Sequence, residues 1–237
     1  MSYIDVNSIV KYFSCPTKLS FNGEDTFFTL GKIKCYIFSG LLDYSFYLKV
    51  VNQPVSLVKL NQRLNYLWSK TKKESTLSTS LHDKIYIKNK LYEFTSLFES
   101  VSSTIYYDVP RVISLGELNL SYSFFSYLKN NEIESIVKFY PESNQINEKD
   151  ISLRIISSLV KKDLSDLDDG LDHKVSLFNS KNGNMLSPKS IEKVKSYPIY
   201  RRLEKNLTQK YFLPRNNESM CRECNFKKNC EWNSLDV

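Results

Sequence analysis

An α/β domain with a mixed sheet flanked by helices is the fold class this sequence predicts, on three observations. Segments with helical spacing of apolar residues alternate along the chain with short runs rich in Tyr, Ile, Val and Phe. The 237 residues, 41% hydrophobic and 25% charged, suffice for one substantial core with room for a subdomain. Cysteines mark both ends of the chain, Cys15 near the start and Cys221, Cys224 and Cys230 near the finish, which sets the ends apart from the middle.

Asp5 to Phe13 predicts a short helix: Asp5 or Asn7 can cap it, Ile9, Val10 and Phe13 form an apolar stripe, and Pro16 ends it. From Thr26 to Val51 the chain is dense in Phe, Tyr, Ile and Leu, a core segment whose periodicity does not separate helix from strand. Ser56 caps a helix with Leu57, Leu60, Leu64, Leu67 and Trp68 on one face and Lys59, Arg63 and Lys70 on the other. Two strand-like runs, 82–87 and 91–97, joined by Lys88-Asn89-Lys90, predict a hairpin. Thr104 to Val109 predicts a further strand, Leu115 to Leu128 a helix with Leu118, Tyr122 and Phe125 inward, and Glu134 to Tyr140 a strand stopped by Pro141. Ile151, Ile155, Ile156 and Leu159 mark another helix. The acidic run Asp163 to Asp172 follows as a mobile loop, and Pro188 suits the first turn of a basic helix over 187–196.

The terminal C-x2-C-x5-C supplies three thiols, and a tetrahedral zinc or a cubane iron–sulfur cluster takes four ligands. Cys15 and Cys35 are the candidates for the fourth; Cys35 lies in an apolar run and reads as a packing residue. Structural zinc sites usually gather two close pairs of ligands, so three clustered cysteines plus a remote fourth favour a 4Fe–4S cluster acting as a clasp between the chain ends. An odd number of cysteines without a paired framework argues against a secreted disulfide scaffold and for a reducing compartment.

A lone early Cys-Pro after a helix ending in Tyr12-Phe13-Ser14, together with the terminal cysteine run, resembles the RecB-like iron–sulfur nucleases. The nearest likeness is to the CRISPR adaptation exonuclease. The resemblance implies a PD-(D/E)xK nuclease-like core over 26–186. It also implies an iron–sulfur subdomain built from 1–25 and 187–237, with Cys15, Cys221, Cys224 and Cys230 holding the cluster.

Metal-dependent phosphodiester cleavage needs carboxylates to hold a divalent ion and a cation to orient the attacking water. In the nuclease family these are an Asp on one strand and Glu-x-Lys on the next. The resemblance places Asp83 and Glu93 in those roles, binding Mg²⁺ or Mn²⁺ if the site is active, with Thr95 at the lysine position. On a strand, Glu93 and Thr95 would share a face, and threonine supplies no positive charge. Lys84 and Lys88 would face away from Asp83, as would His82. The family's metal-binding histidine before the hairpin and its Gln-x3-Tyr after it are also missing; Gln62 and Tyr66 have that spacing but come too early. The resemblance therefore implies an eroded catalytic centre. His173 reads as a surface residue.

The formal net charge is +7, and it is unevenly placed. Residues 187–215 hold eight basic side chains against two acidic ones, a surplus of +6, including Lys189, Lys193, Lys195, Arg201, Arg202 and Lys205. Such a stripe is the footprint of a phosphate backbone, or else a solvated helix face. No run reaches the apolar length of a membrane span, and the N-terminus lacks the form of a secretory signal, so a cytoplasmic protein is expected. The leading expectation is a DNA-binding, catalytically impaired subunit whose partners, by resemblance, are the CRISPR integrase or other DNA-processing proteins. A working exonuclease using Asp83 and Glu93 is the alternative, and an interaction module with a zinc or iron clasp is a third reading.

Overall fold

A computed structural model describes residues 2–15, 30–74, 81–141, 146–167, 169–189, 191, 198 and 200–205, and every structural statement below concerns these. The elements run β1 (Ser2–Asp5), α1 (Asn7–Ser14), α2 (Leu30–Val50), α3 (Leu57–Glu74) and α4 (Leu81–Glu99). They continue as β2 (Val101–Leu115), β3 (Leu118–Lys129), β4 (Glu132–Phe139), α5 (Ile151–Ser165), β5 (His173–Asn179) and β6 (Met185–Leu186). The expected mixed sheet flanked by helices is present.

β3 is the centre of the sheet. β2 runs antiparallel along one of its edges; the other edge is shared by β1, parallel at 118–121, and β4, antiparallel at 124–129. β5 lies parallel to β4, with α5 as the crossover, and β6 closes the far edge. Gly116 and Glu117 form the two-residue turn between β2 and β3, with Gly116 at φ +59°; Asn130 and Asn131, both at positive φ, form the next. Asp150 caps α5 by accepting the Ser152 amide at 3.0 Å.

Period-two alternation along the strands separates two cores. Leu118, Leu120, Tyr122 and Phe124 of β3, with Val137 and Phe139 of β4, pack against α1 and α5. Phe125 and Tyr127, with Ile136 and Phe178, face α2, α3 and α4 on the opposite side. There Phe46 of α2 stacks on Phe125 at 4.6 Å between ring centres and meets Phe98 of α4 edge-on at 5.0 Å, which ties both helices to the sheet.

Four expectations are corrected. Residues 82–97 form no hairpin: they belong to the single 19-residue helix α4, because Ile87, Leu91, Phe94 and Phe98 recur at steps of four, three and four and bury one helical face. Leu115 to Leu128 is not a helix but mostly β3, whose Leu118, Leu120, Tyr122 and Phe124 alternate with Asn119, Ser121 and Ser123. Residues 187–189 are not the start of a helix, since the carbonyls of Pro188 and Lys189 accept bonds from Ser157 and Arg154 of α5. The acidic run is bound to the fold rather than loose: Asp163 sits in the last turns of α5 and Asp169 bonds to Tyr106 and His173. The segment 26–51, where periodicity left helix and strand open, holds the helix α2.

Candidate nucleic-acid interface and cysteine site

α1 delivers Cys15 to the edge of the described fold. Val6, Ile9 and Val10 bury its inner face, and the Cys15 amide bonds to the Lys11 carbonyl at 2.9 Å before the backbone turns extended. Cys15 is half-buried. Its three expected co-ligands, Cys221, Cys224 and Cys230, lie outside the described residues. As a donor set, four cysteines suit a 4Fe–4S cluster. Cys35, on α2, has its thiol pushed up to about 11 by burial, with Lys181 pulling it partly back. Ligation needs a thiolate, so this environment disfavours Cys35 as a ligand.

The chain returns to the α1 side of the sheet before its last cysteines. Residues 200–205 are helical, with Leu203 only 1% exposed in the same core cluster as Val6, Ile9 and Val10, and with Tyr200 and Phe13 packed against that cluster. Burying one leucine contributes about 2 kcal/mol. Arg201, Arg202 and Lys205 project to the exposed side of this short helix. The segment is thus apolar inward and basic outward. Lys189 is exposed with its carbonyl bonded to Arg154 of α5, and the Ile191 amide donates to the Ser158 hydroxyl at 2.7 Å. Lys193 and Lys195 lie outside the described residues.

The expected carboxylate pair is not assembled. Asp83 and Glu93 stand ten residues apart on α4, a rise of about 15 Å along the axis, whereas carboxylates sharing one divalent ion each bind it at about 2 Å. Asp83 is 7% exposed and its Oδ1 pairs with Lys34 Nζ of α2 at 2.7 Å. Glu93 is exposed and held by Lys90 at 2.8 Å. Thr95 does not share a face with Glu93; its hydroxyl donates to the Leu91 carbonyl at 2.8 Å. His82 is exposed on the same helix. These residues do not fit a catalytic Mg²⁺ or Mn²⁺ site, and among the described residues no three His, Cys, Asp or Glu side chains converge as metal ligands.

Two polar networks were not visible beforehand. His173, expected at the surface, is 3% exposed: Nδ1 meets the Ser135 hydroxyl at 2.7 Å and Nε2 meets Asp169 at 3.0 Å, while Tyr106 donates to the same carboxylate at 3.0 Å. Burial opposes ionisation of Asp169, but the Leu171 amide, His173 and Tyr106 together hold its carboxyl below the usual range. Beneath the open groove bordered by Asp5, Arg111 and Tyr122, Asp163 accepts from Arg111 Nε at 2.8 Å and from Tyr122 Oη at 2.7 Å. Burial and this bond push the Tyr122 phenol well above its ordinary range. Ser135 is completely enclosed, so the Ser-His-Asp array is structural rather than nucleophilic.

Compared with known proteins, the sequence matches no protein-family model and no curated protein. Among the described residues no helix is long and apolar enough to cross a membrane.

Proposed function

We propose that this chain is a DNA-binding iron–sulfur protein related to the RecB-like nucleases, one that holds DNA rather than cutting it and serves as a subunit in DNA processing or CRISPR adaptation. One observation carries the reading. The core of α1, which leads to Cys15, also receives Leu203, 18 residues before Cys221, so both arms of the expected clasp start from one cluster. Fifteen residues lie between Lys205 and Cys221, a reach of up to about 50 Å, ample for return to Cys15. Cys15, Cys221, Cys224 and Cys230 would hold the cluster, whose contribution is to cross-link the chain ends.

The basic outer side of 200–205, with Lys189 and the neighbouring Lys193 and Lys195, would lie against phosphates. The separation of Asp83 from Glu93 supports impaired catalysis and gives the exonuclease alternative nothing to work with. Binding partners would be DNA and, by resemblance, the CRISPR integrase or other DNA-processing proteins.

The test is salt-dependent binding of labelled duplex and single-stranded DNA, run with Mg²⁺ and with Mn²⁺. Arg201→Glu/Arg202→Glu should weaken binding to both and flatten its salt slope by about two contacts' worth. Unchanged affinity would make the stripe a solvated face. Cleavage of either DNA by the wild-type protein, with either ion, would overturn the non-cutting reading.

A further inference from the structure

We propose that α2 and α3 carry a stacking platform for unpaired nucleobases, formed by Tyr47, Tyr44, Arg63 and Tyr66. It rests on the nucleic-acid-binding reading but uses none of the same residues.

Tyr44 and Tyr47 are one helical turn apart on α2, their rings 6.4 Å apart and inclined by only 20°. Arg63 of α3 extends the row: its guanidinium carbon lies 5.4 Å from the Tyr44 ring centre and 5.2 Å from that of Tyr66. Cation–π attraction holds at such distances. Tyr44 is anchored in the core beneath, while the outer rings stay open, Tyr47 at 50% and Tyr66 at 57% exposure.

Arg63 is held in an unusual way for a guanidinium. Its Nε is enclosed without a hydrogen bond, and among the described residues it makes no ion pair. Two aromatic rings flank it, and among the described residues its terminal donors make no hydrogen bond. Planar cations and exposed rings in one row are the elements that hold single-stranded nucleic acid through base faces.

Charges near the rings are paired with one another. Lys138 is committed to Asp43 at 3.0 Å, and Asp108 accepts from the Ser123 hydroxyl at 2.8 Å. Asp43 and Asp108 offset Arg63 and Lys138 beside the ring row, which Lys59 and Lys70 flank on the same face of α3. The row suits flat, neutral rings, while the surplus of basic residues lies in 187–215.

The experiment compares binding of a labelled oligothymidylate, an abasic oligonucleotide of the same length and a duplex. Tyr47→Ala/Tyr66→Ala removes two exposed rings. It should lower oligothymidylate affinity about tenfold or more, at stacking strengths of about 5- to 100-fold per base. Abasic and duplex binding should change less than about twofold. Arg63→Lys keeps the charge but loses the planar face, and should weaken oligothymidylate selectively as well. Equal losses on the abasic strand, or no loss on oligothymidylate, would overturn the platform; a ridge silent in these assays would belong to a protein contact. The basic-segment reading fails separately, through Arg201→Glu/Arg202→Glu.

Discussion

Glu204 reaches back to the tip of the β2–β3 turn, where its Oε1 accepts the Glu117 amide at 3.1 Å, a contact spanning 87 residues of sequence. The carboxylate occupies the space beside Gly116, so that a Cβ added there would stand 1.8 Å from Glu204 Oε1. Gly116 also needs its positive φ. Gly116→Ala therefore meets a double obstacle, backbone strain of about 1–3 kcal/mol and displacement of the Glu204 carboxylate. We expect a lower midpoint in urea and weaker DNA binding, since Arg201, Arg202 and Lys205 share the displaced segment. Glu204→Gln, which keeps an acceptor oxygen, should be milder in both measurements.

Asp83 and Glu93 separate cleanly by stability. Asp83→Ala leaves Lys34, 24% exposed, facing a lost carboxylate on a mostly buried face and should cost about 2 kcal/mol in denaturant unfolding. Glu93→Ala removes an exposed one-turn pair and should stay within about 0.5 kcal/mol of wild type. DNA affinity should be unchanged in both. An affinity loss in Glu93→Ala without loss of stability would restore a functional role to that carboxylate.

The segments 82–97 and 115–128 show which periodicities the residues display and which they conceal. The short β-prone run Ile85, Tyr86, Ile87 reads as a strand, but the longer row Ile87, Leu91, Phe94, Phe98 has helical spacing that the short window conceals. Exposed Ile85 and Tyr92 add apolar residues on the outer face and blur the helix further. In β3 the error was the reverse. As the central strand it is covered on both faces, so Phe124 and Phe125 are both buried and the period of two breaks in the middle. The helix at 57–74 is legible through its polar face and Ser56 at its start, and that at 151–165 through the row Ile151, Ile155, Ile156 and Leu159. The networks around Asp163 and Asp169 are not, because Arg111, Tyr122 and Tyr106 come from strands that only folding brings close, and Ser135, which meets His173 Nδ1, is likewise remote in sequence.

The Asp169 network predicts a particular acid sensitivity. Its carboxyl titrates lower in the folded chain than in the unfolded one. The stabilisation is therefore complete above the unfolded value, about 3.9, and is lost as pH falls through the lower folded value. Asp169→Asn should flatten the fall in stability over that acidic window, followed by the urea midpoint. At neutral pH the same variant should be less stable, because Tyr106 and His173 lose a charged acceptor. Equal acid slopes for variant and wild type would show that Asp169 is not the group responsible.

Thiol chemistry distinguishes the two candidates for the fourth ligand. Burial on α2 raises the Cys35 thiol to about 11, so at pH 8 only about a thousandth of it is thiolate, the form that both alkylates and binds metal. In the folded protein Cys35 should react slowly with iodoacetamide and become fast when urea opens the core, as peptide mapping by mass spectrometry would record. Cys15, also half-buried, stands where α1 ends and the backbone turns extended. Cys35→Ser should then keep the iron content and the visible charge-transfer absorbance of anaerobically purified protein, whereas Cys15→Ser should lose both. Loss of iron in Cys35→Ser with retention in Cys15→Ser would move the clasp to α2 and detach it from the shared cluster of α1 and Leu203.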